Sequence, residues 1–272
     1  MDNVGEKARR FRQLHESGIF VIPNVCDGGS AKVMAGLGFP ALATSSAACA
    51  ATLGKLDGGI SRAEALAHAR LIASVSTVPV AADLENGFGA APKDAAETIR
   101  GAGEAGVVGG SIEDSSGDQR APIYDFNHAV ERVAAAVEAA RALPFPFTLT
   151  ARAENSLYGH ADLADTIRRL QAYEAAGADV VFAPGLPDLE SVRSVCAALK
   201  RPVNFMVGIR GRSFSLAELK AVGVRRVSLS TSLYRAAMTG LLAAGREVKD
   251  AGTFGYLDTL MKDGELSAFL GR

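Results

Sequence analysis

The chain has 272 residues, a formal net charge of −1 and 22% charged side chains, which excludes the broad basic field that nucleic acid requires. Nearly half of it (48%) is hydrophobic, enough for a sizeable core, yet no apolar run approaches the roughly 20 residues of a membrane span. Cys26, Cys49 and Cys196 show no C-x-x-C spacing, the four histidines no zinc-ligand spacing, and the N-terminus no signal-peptide core; the chain reads as a soluble cytoplasmic protein with reduced thiols.

Residues 3–17 read as an amphipathic helix with Ala8, Phe11 and Leu14 on one face, ended by Gly18. A short apolar strand over 19–25 leads to Asp27-Gly28-Gly29, a helix to Leu37 and a second strand over 41–44. The small-residue stretch Ser45-Ser46-Ala47-Ala48 and a polar loop through Asp57 come next. Ser61 and Glu64 form a capping box for a helix to about residue 76, and Pro79 introduces a third strand over 80–84. The rhythm then repeats: helices over 93–105, 125–142, 162–176, 188–199 and 215–222 precede strands over 107–112, 147–151, 180–183, 203–207 and 227–229. A helix over 232–244 closes the series, and a last helical segment, 256–270, carries Leu257, Leu260, Met261 and Leu266 to bury.

Several helices end in glycine a residue or two before the next strand, as at Gly38, Gly106, Gly177 and Gly223. Short apolar strands of this kind are buried on both faces, as parallel strands are. The fold class is therefore α/β. Eight βα units in this length predict one (β/α)8 TIM-type barrel over residues 1–272, with an extra C-terminal helix. An open doubly wound sheet is the alternative, but no G-x-G-x-x-G opens a helix after the first strand.

In such a barrel the loops after the strands build the active site. Asp83 and Glu85 stand at i and i+2 where the third strand gives out, so they project to one side. Two acids held together repel, and need a cation between them or a shared proton. Glu113 and Asp114 end the fourth strand, Arg152 and Glu154 the fifth, and Asp57 lies in the loop after the second. Carboxylates from consecutive strands would converge on one rim, a hard-oxygen set suited to Mg2+ or Mn2+. Arg152 could grip a substrate carboxylate bidentately, or pair structurally with Glu154 or Glu113. The serine stretch offers hydroxyls and backbone N–H groups to an anion, or simply packs. Asp83 and Glu85 as solvated strand ends, and Asp57 as a turn former, are the corresponding plain alternatives.

The ordered set Ala43-Thr44-Ser45-Ser46-Ala47 with Leu53-Gly54 and Asp57, then Ala82-Asp83-Leu84-Glu85-Asn86-Gly87-Phe88-Gly89, Ile112-Glu113-Asp114 and Ala151-Arg152 resembles the isocitrate lyase/phosphoenolpyruvate mutase superfamily. The likeness runs from Phe20 to about Ala244, and is greatest to the mutase-like proteins of uncertain substrate. It implies a Mg2+-dependent enzyme that stabilises an enolpyruvate-like anion of a 2-oxo acid. Mg2+ would sit on Asp83, with Glu85, Glu113 and Asp57 holding its water shell. Ser45, Ser46 and Ala47 would take the pyruvyl carboxylate, and Arg152 the substrate oxygens. A C-terminal helix packing across subunits, in a tetramer or dimer, is also implied.

The chain departs from that pattern after the fourth strand, where residues 115–124 carry neither the K-K-C-G-H cysteine of the lyases nor the lysine and asparagine of the phosphoryl-transferring members. Pro184 stands where mutases carry histidine and lyases glutamate. The expected activity is a carbon–carbon lyase, with oxaloacetate-like decarboxylation the simplest case because it needs an electron sink and no initiating base. The alternatives are a phosphorus–carbon mutase or hydrolase, with Arg120, Arg210 or Arg212 holding a phosphonate, and a non-catalytic 2-oxo acid-binding barrel.

Overall fold

The computed structural model describes residues 4–160 and 162–271; Asn3, where the first helix is expected to begin, lies outside them. Eight strands alternate with helices: β1 Phe20–Ile22, β2 Leu42–Ala43, β3 Val80–Asp83, β4 Gly109–Glu113, β5 Thr148–Arg152, β6 Val180–Phe182, β7 Val203–Met206 and β8 Arg226–Ser228. They hydrogen-bond in the order β1-β8-β7-β6-β5-β4-β3-β2, every pair parallel. The seam between β1 and β2 is closed by one parallel bridge, Asn24 to Ala43. There the Val25 N–H donates to the Ala43 carbonyl (2.8 Å) and the Ala43 N–H to that of Pro23 (2.9 Å). The expected TIM-like barrel is present and nearly closed.

The helices are α1 Val4–Leu14, α2 Gly28–Gly36, α3 Ser46–Thr52, α4 Arg62–Val75, α5 Pro92–Glu104, α6 Phe126–Arg141, α7 Leu163–Ala175, α8 Leu189–Ala198, α9 Leu216–Ala221, α10 Ser232–Ala251 and α11 Asp263–Leu270. The capping box of Ser61 and Glu64 opens α4 as expected. The small-residue stretch opens α3: the Ser45 hydroxyl accepts from the Ala48 N–H (3.3 Å), and the alanines that follow favour helix. Helix α10 runs on to Ala251 and ends at Gly252, whose φ of 66° suits a residue without Cβ. The C-terminal segment is split into a 3-10 turn, Gly255–Thr259, and α11. Leu257, Leu260, Met261 and Leu266 remain exposed within the chain.

Helix α1 closes the bottom of the barrel. Phe11, His15 and Phe20 meet edge to face, and Gly109 lets the Phe11 ring approach where a Cβ would lie 2.7 Å from it. Above this plug the interior of a TIM barrel is usually filled by branched side chains. Here the inner wall includes Ala43, Ala81, Ser111 and Thr150, and a cavity of about 200 Å3 remains, open towards the C-terminal ends of the strands.

Asn24 holds the seam where the ladder is thinnest. Its Nδ2 donates to the Thr44 carbonyl (2.7 Å), and its Oδ1 accepts from the Leu229 N–H (2.8 Å), tying together the chain after β1, β2 and β8. Asn24→Ala leaves both backbone groups without these partners and should cost about 1–3 kcal/mol. Urea denaturation would check this, and an unchanged midpoint would show that the seam closes without Asn24.

Candidate active site

The expected acids do gather at the C-terminal rim. Asp83 ends β3, where one carboxylate oxygen accepts from the Ser46 N–H and hydroxyl (both 3.1 Å) and the other from Arg152 Nη1 (3.0 Å). Glu113 ends β4 and meets the same Nη1 at 3.1 Å, while Arg152 Nε donates to Glu154 Oε1 at 2.9 Å. The guanidinium also lies over the Phe182 ring, 5.1 Å from its centroid. Both readings of Arg152 therefore bear on one residue: it is paired within the protein, yet its Nη2 has no described protein acceptor and it lines the cavity. Asp57 accepts from the Ser46 hydroxyl (3.5 Å), which brings the loop after β2 to the same rim. Ser45 and Ala47 line the cavity beside Ser46.

Glu85 arrives by a different route from the one its spacing suggests. The strand stops at Asp83, and Glu85 takes φ of 48°, in a left-handed turn that an L-residue holds only when its surroundings impose it. Its carbonyl accepts from the Glu113 N–H (3.0 Å), and it lines the wider mouth above the cavity. The turn is held from outside by Arg132 of α6, which donates to the carbonyls of Asn86, Gly89, Ala90 and Ala91, and by the Thr98 hydroxyl on the Gly87 carbonyl (2.7 Å). At Gly87 a Cβ would fall 2.9 Å from the Cα of Ala95, so the close approach of turn to α5 needs glycine.

Burial and mutual repulsion dominate the electrostatics. Burial, then the charges of Asp83, Glu113 and Asp57, push the Glu85 carboxyl up to about 8, with Arg152 opposing. Burial pushes Glu154 up to about 8 and raises Glu113, in both cases against the pull of Arg152. Burial disfavours the charge on Arg152, but Glu113, Glu154 and Asp83 more than offset it and hold the guanidinium firmly protonated.

Among the described residues no three or more acids, histidines or cysteines stand close enough to ligate a metal as they are placed. The chemistry of the site nevertheless suits a hydrated divalent cation. Glu85 Oε1 is buried without a hydrogen-bond partner, and Asp57, Asp83, Glu85, Glu113 and Glu154 outnumber the single guanidinium among them. The donors are all hard oxygens, of the kind Mg2+ uses with only one or two direct carboxylates.

Asp114, beside Glu113, points the other way. It accepts from the Tyr173 hydroxyl (2.6 Å), Arg169 Nη1 (3.1 Å) and the Glu154 N–H (2.8 Å), a buried clamp that sets the strand ends of β4 and β5. Sequence reasoning missed Arg132, hidden in an alanine-rich helix. It also missed Thr150, Asn204 and Arg226 of the inner wall. Arg226 was discoverable as a charged residue at an inward strand position, had β8 been begun at Arg226 instead of Val227.

Because the Glu85 carboxyl rises from 4.5 to about 8 on folding, its contribution to stability is fully present below pH 4.5 and is lost as pH rises through 8. Glu85→Gln is neutral throughout. In chelator its urea midpoint should exceed that of the wild type by a margin that widens from about pH 5 to about pH 8, at up to about 1.4 kcal/mol per pH unit. A constant margin across that range would mean that Glu85 ionises as easily folded as unfolded.

A sequence profile of the phosphoenolpyruvate phosphomutase family matches residues 11–249. A Burkholderia cenocepacia crystal structure, provisionally described as a lyase/mutase, matches with a TM-score of 0.96 and 48% identity over 99% of this chain and 97% of that one. The 2,3-dimethylmalate lyase of Eubacterium barkeri is 30% identical over 99% of this chain and 94% of its own. An oxaloacetate decarboxylase of Bradyrhizobium diazoefficiens is 30% identical over 66% of this chain and 63% of its own. Members of this superfamily include carbon–carbon lyases of small carboxylic acids and typically depend on Mg2+. With the profile spanning most of the sequence and the barrel shared nearly end to end, the chain belongs to the phosphoenolpyruvate mutase/isocitrate lyase superfamily.

Proposed function

We propose that this protein is a Mg2+-dependent carbon–carbon lyase of small 2-oxo acids, acting through an enolpyruvate-like anion, with decarboxylation of an oxaloacetate-like diacid its simplest case. The observation that carries the reading is the excess of carboxylates over the one guanidinium at the rim, including the unpartnered Glu85 oxygen. Asp83, with Glu85, Glu113 and Asp57, would hold the ion or its waters. When bound, Mg2+ supplies a Lewis acid for the negative charge that develops on the 2-oxo oxygen.

The chain's own side chains do the remaining work in this reading. Arg152 offers Nη2 to a substrate oxygen, its plane fixed by Glu154 and the Phe182 ring. Ser45, Ser46 and Ala47 border the place of the substrate carboxylate. Phe182, Leu157 and Met206 form the apolar part of the cavity wall. As the bond to carbon three breaks, its electrons stay on the 2-oxo acid fragment. Carbon three then takes a proton from water admitted past Ser115 and Tyr158, whose hydroxyls lie 3.4 Å apart at the mouth.

The phosphorus–carbon alternative has less to support it. Arg120 is exposed and pairs with Asp118, Arg212 donates to the Gly185 carbonyl, and neither they nor Arg210 line the cavity. The same proposal includes a homo-oligomer, a tetramer or dimer, because α10 buries none of its residues within the chain. Met238, Leu241, Leu242, Phe254, Leu257 and Leu260 are each 40–64% exposed.

Product formation followed by NMR tests the chemistry. Oxaloacetate should disappear faster than free Mg2+ alone makes it, and Asp83→Asn should lower that rate by about a thousandfold or more while the circular dichroism is retained. Wild-type activity in Asp83→Asn would remove Asp83 from the site. Turnover of phosphonopyruvate alone would move the protein to phosphorus–carbon chemistry, and metal-dependent binding of 2-oxo acids without turnover would leave a binding barrel. Light scattering tests the assembly: the native mass should exceed that of one chain, and Leu241→Glu with Leu257→Glu should reduce it to one.

A further inference from the structure

Arg226 opens β8 and is buried inside the barrel, with only neutral partners. Its Nε donates to Asn204 Oδ1 (2.8 Å), its Nη2 to Thr150 Oγ1 (2.9 Å) and its Nη1 to His15 Nε2 (3.4 Å). His15 can accept there because its Nδ1 donates to the Phe11 carbonyl (2.8 Å). Burial and the neighbouring Arg226 charge hold the imidazole pKa down at about 3, so the ring is neutral. No aspartate or glutamate among the described residues forms an ion pair with Arg226, whereas Arg152 meets three acids. A charge buried without a counterion is costly, several kcal/mol in most settings. Burial pulls the Arg226 pKa down to about 9, which still leaves it cationic at neutral pH.

The guanidinium also has hydrogens to spare. Of its five N–H groups, one on each terminal nitrogen has no described acceptor. Beside them lies the floor of the same cavity whose rim carries Asp83 and Ser46. Thr150 stands two residues before Arg152 on β5, and Arg226 two before Ser228 on β8. With a side-chain period of two, they belong to the interior layer directly beneath the rim. Thr150 Oγ1, having accepted from Arg226, keeps its own hydrogen to give. The space itself exists because Ala43, Ala81 and Ser111 stand where bulkier residues would fill it.

We propose that Arg226, with Thr150 and Asn204, forms a carboxylate-binding subsite on the floor of the cavity, one layer below Arg152. The two spare N–H groups on the terminal nitrogens and the threonine hydroxyl are donors suited to a planar carboxylate, which takes two parallel bonds from a guanidinium. The carboxylate comes either from a free monocarboxylate or from the far end of a dicarboxylate. The second source rests on the proposed function, since it places the 2-oxo end of the same molecule at the rim.

Calorimetric titration of the metal-free protein in chelator, at constant ionic strength, with formate and with malonate, tests the subsite without calling on metal or turnover. The wild type should bind formate saturably, and Arg226→Met should weaken that binding by roughly tenfold or more with its circular dichroism unchanged. Malonate binding that is tighter than formate and equally dependent on Arg226 would identify the end of a dicarboxylate as the source. Equal affinities would identify a free monocarboxylate. Should Arg226→Met fail to fold, the Arg226 Nε–H resonance of the wild type, assigned by its loss in Arg226→Lys, should move on adding formate. Unchanged formate affinity in Arg226→Met, no saturable binding by the wild type, or a resonance that does not move would each overturn the subsite. A failed oxaloacetate assay would leave it standing.

Discussion

Like-charge repulsion at the rim is the constraint around which this molecule is arranged. Consecutive strands β3, β4 and β5 deliver Asp83, Glu113 and Glu154 to one place, and the turn after β3 adds Glu85. Arg152 sits among them and donates to two through Nη1 and to a third through Nε. Burial first, and then too many acids for one positive charge to neutralise, hold Glu85 and Glu154 towards their protonated forms. In the proposed reading, such a site would exchange protons for a cation. Its stored repulsion is the kind of local cost that folds carry where they bind something.

That cost is carried by the scaffold behind the rim. Arg132 and Thr98 hold the carbonyls of the turn after β3, so the left-handed Glu85 has no easy way to relax. Asp114 performs the complementary task on the outer side: alternation along β4 sends Glu113 to the cavity and Asp114 into a clamp with Arg169 and Tyr173. Two adjacent acids thus have opposite duties. Glu113 pairs with Arg152 at the rim, and Asp114 is satisfied by donors on the outer side.

Much of this was legible in the sequence, and what was not has physical reasons. Apolar runs separated by glycine-ended helices predict the eight parallel strands, because period and punctuation are local properties. Asp83, Glu113 and Arg152 were legible because they end strands, and strand ends in a barrel share one rim. The route of Glu85 was not, since a left-handed turn held by Arg132 depends on a residue distant in the chain. Helix α3 was not legible: the small-residue stretch carries no clear periodicity, and Ser45 shows as its cap only in the structure. Arg226 was lost because the expected strand began at Val227, one residue late, which left it in the preceding loop.

The interior beneath the rim carries a second consequence of the same economy of space. Barrels gain stability by filling their layers with branched side chains, and here alanine, serine and threonine occupy several of those positions. The helices outside compensate in part: α5 and α6 bury Ala95, Ala102, Ala136 and Ala140 with Ile99, so small residues there bring helices close instead of leaving room. Small residues do opposite things on the two sides of the sheet because helices can move together, whereas strands locked in a hydrogen-bonded ring cannot. The empty layer is therefore a fixed volume, acidic at its rim and basic at its floor where Arg226 lies. In the proposed reading, an anion entering it would reach beyond the acids to the guanidinia, and a cation at the rim would lower the barrier to that entry. Charge at the rim and charge at the floor thereby become parts of one binding problem, coupled through the small cavity that both ends line.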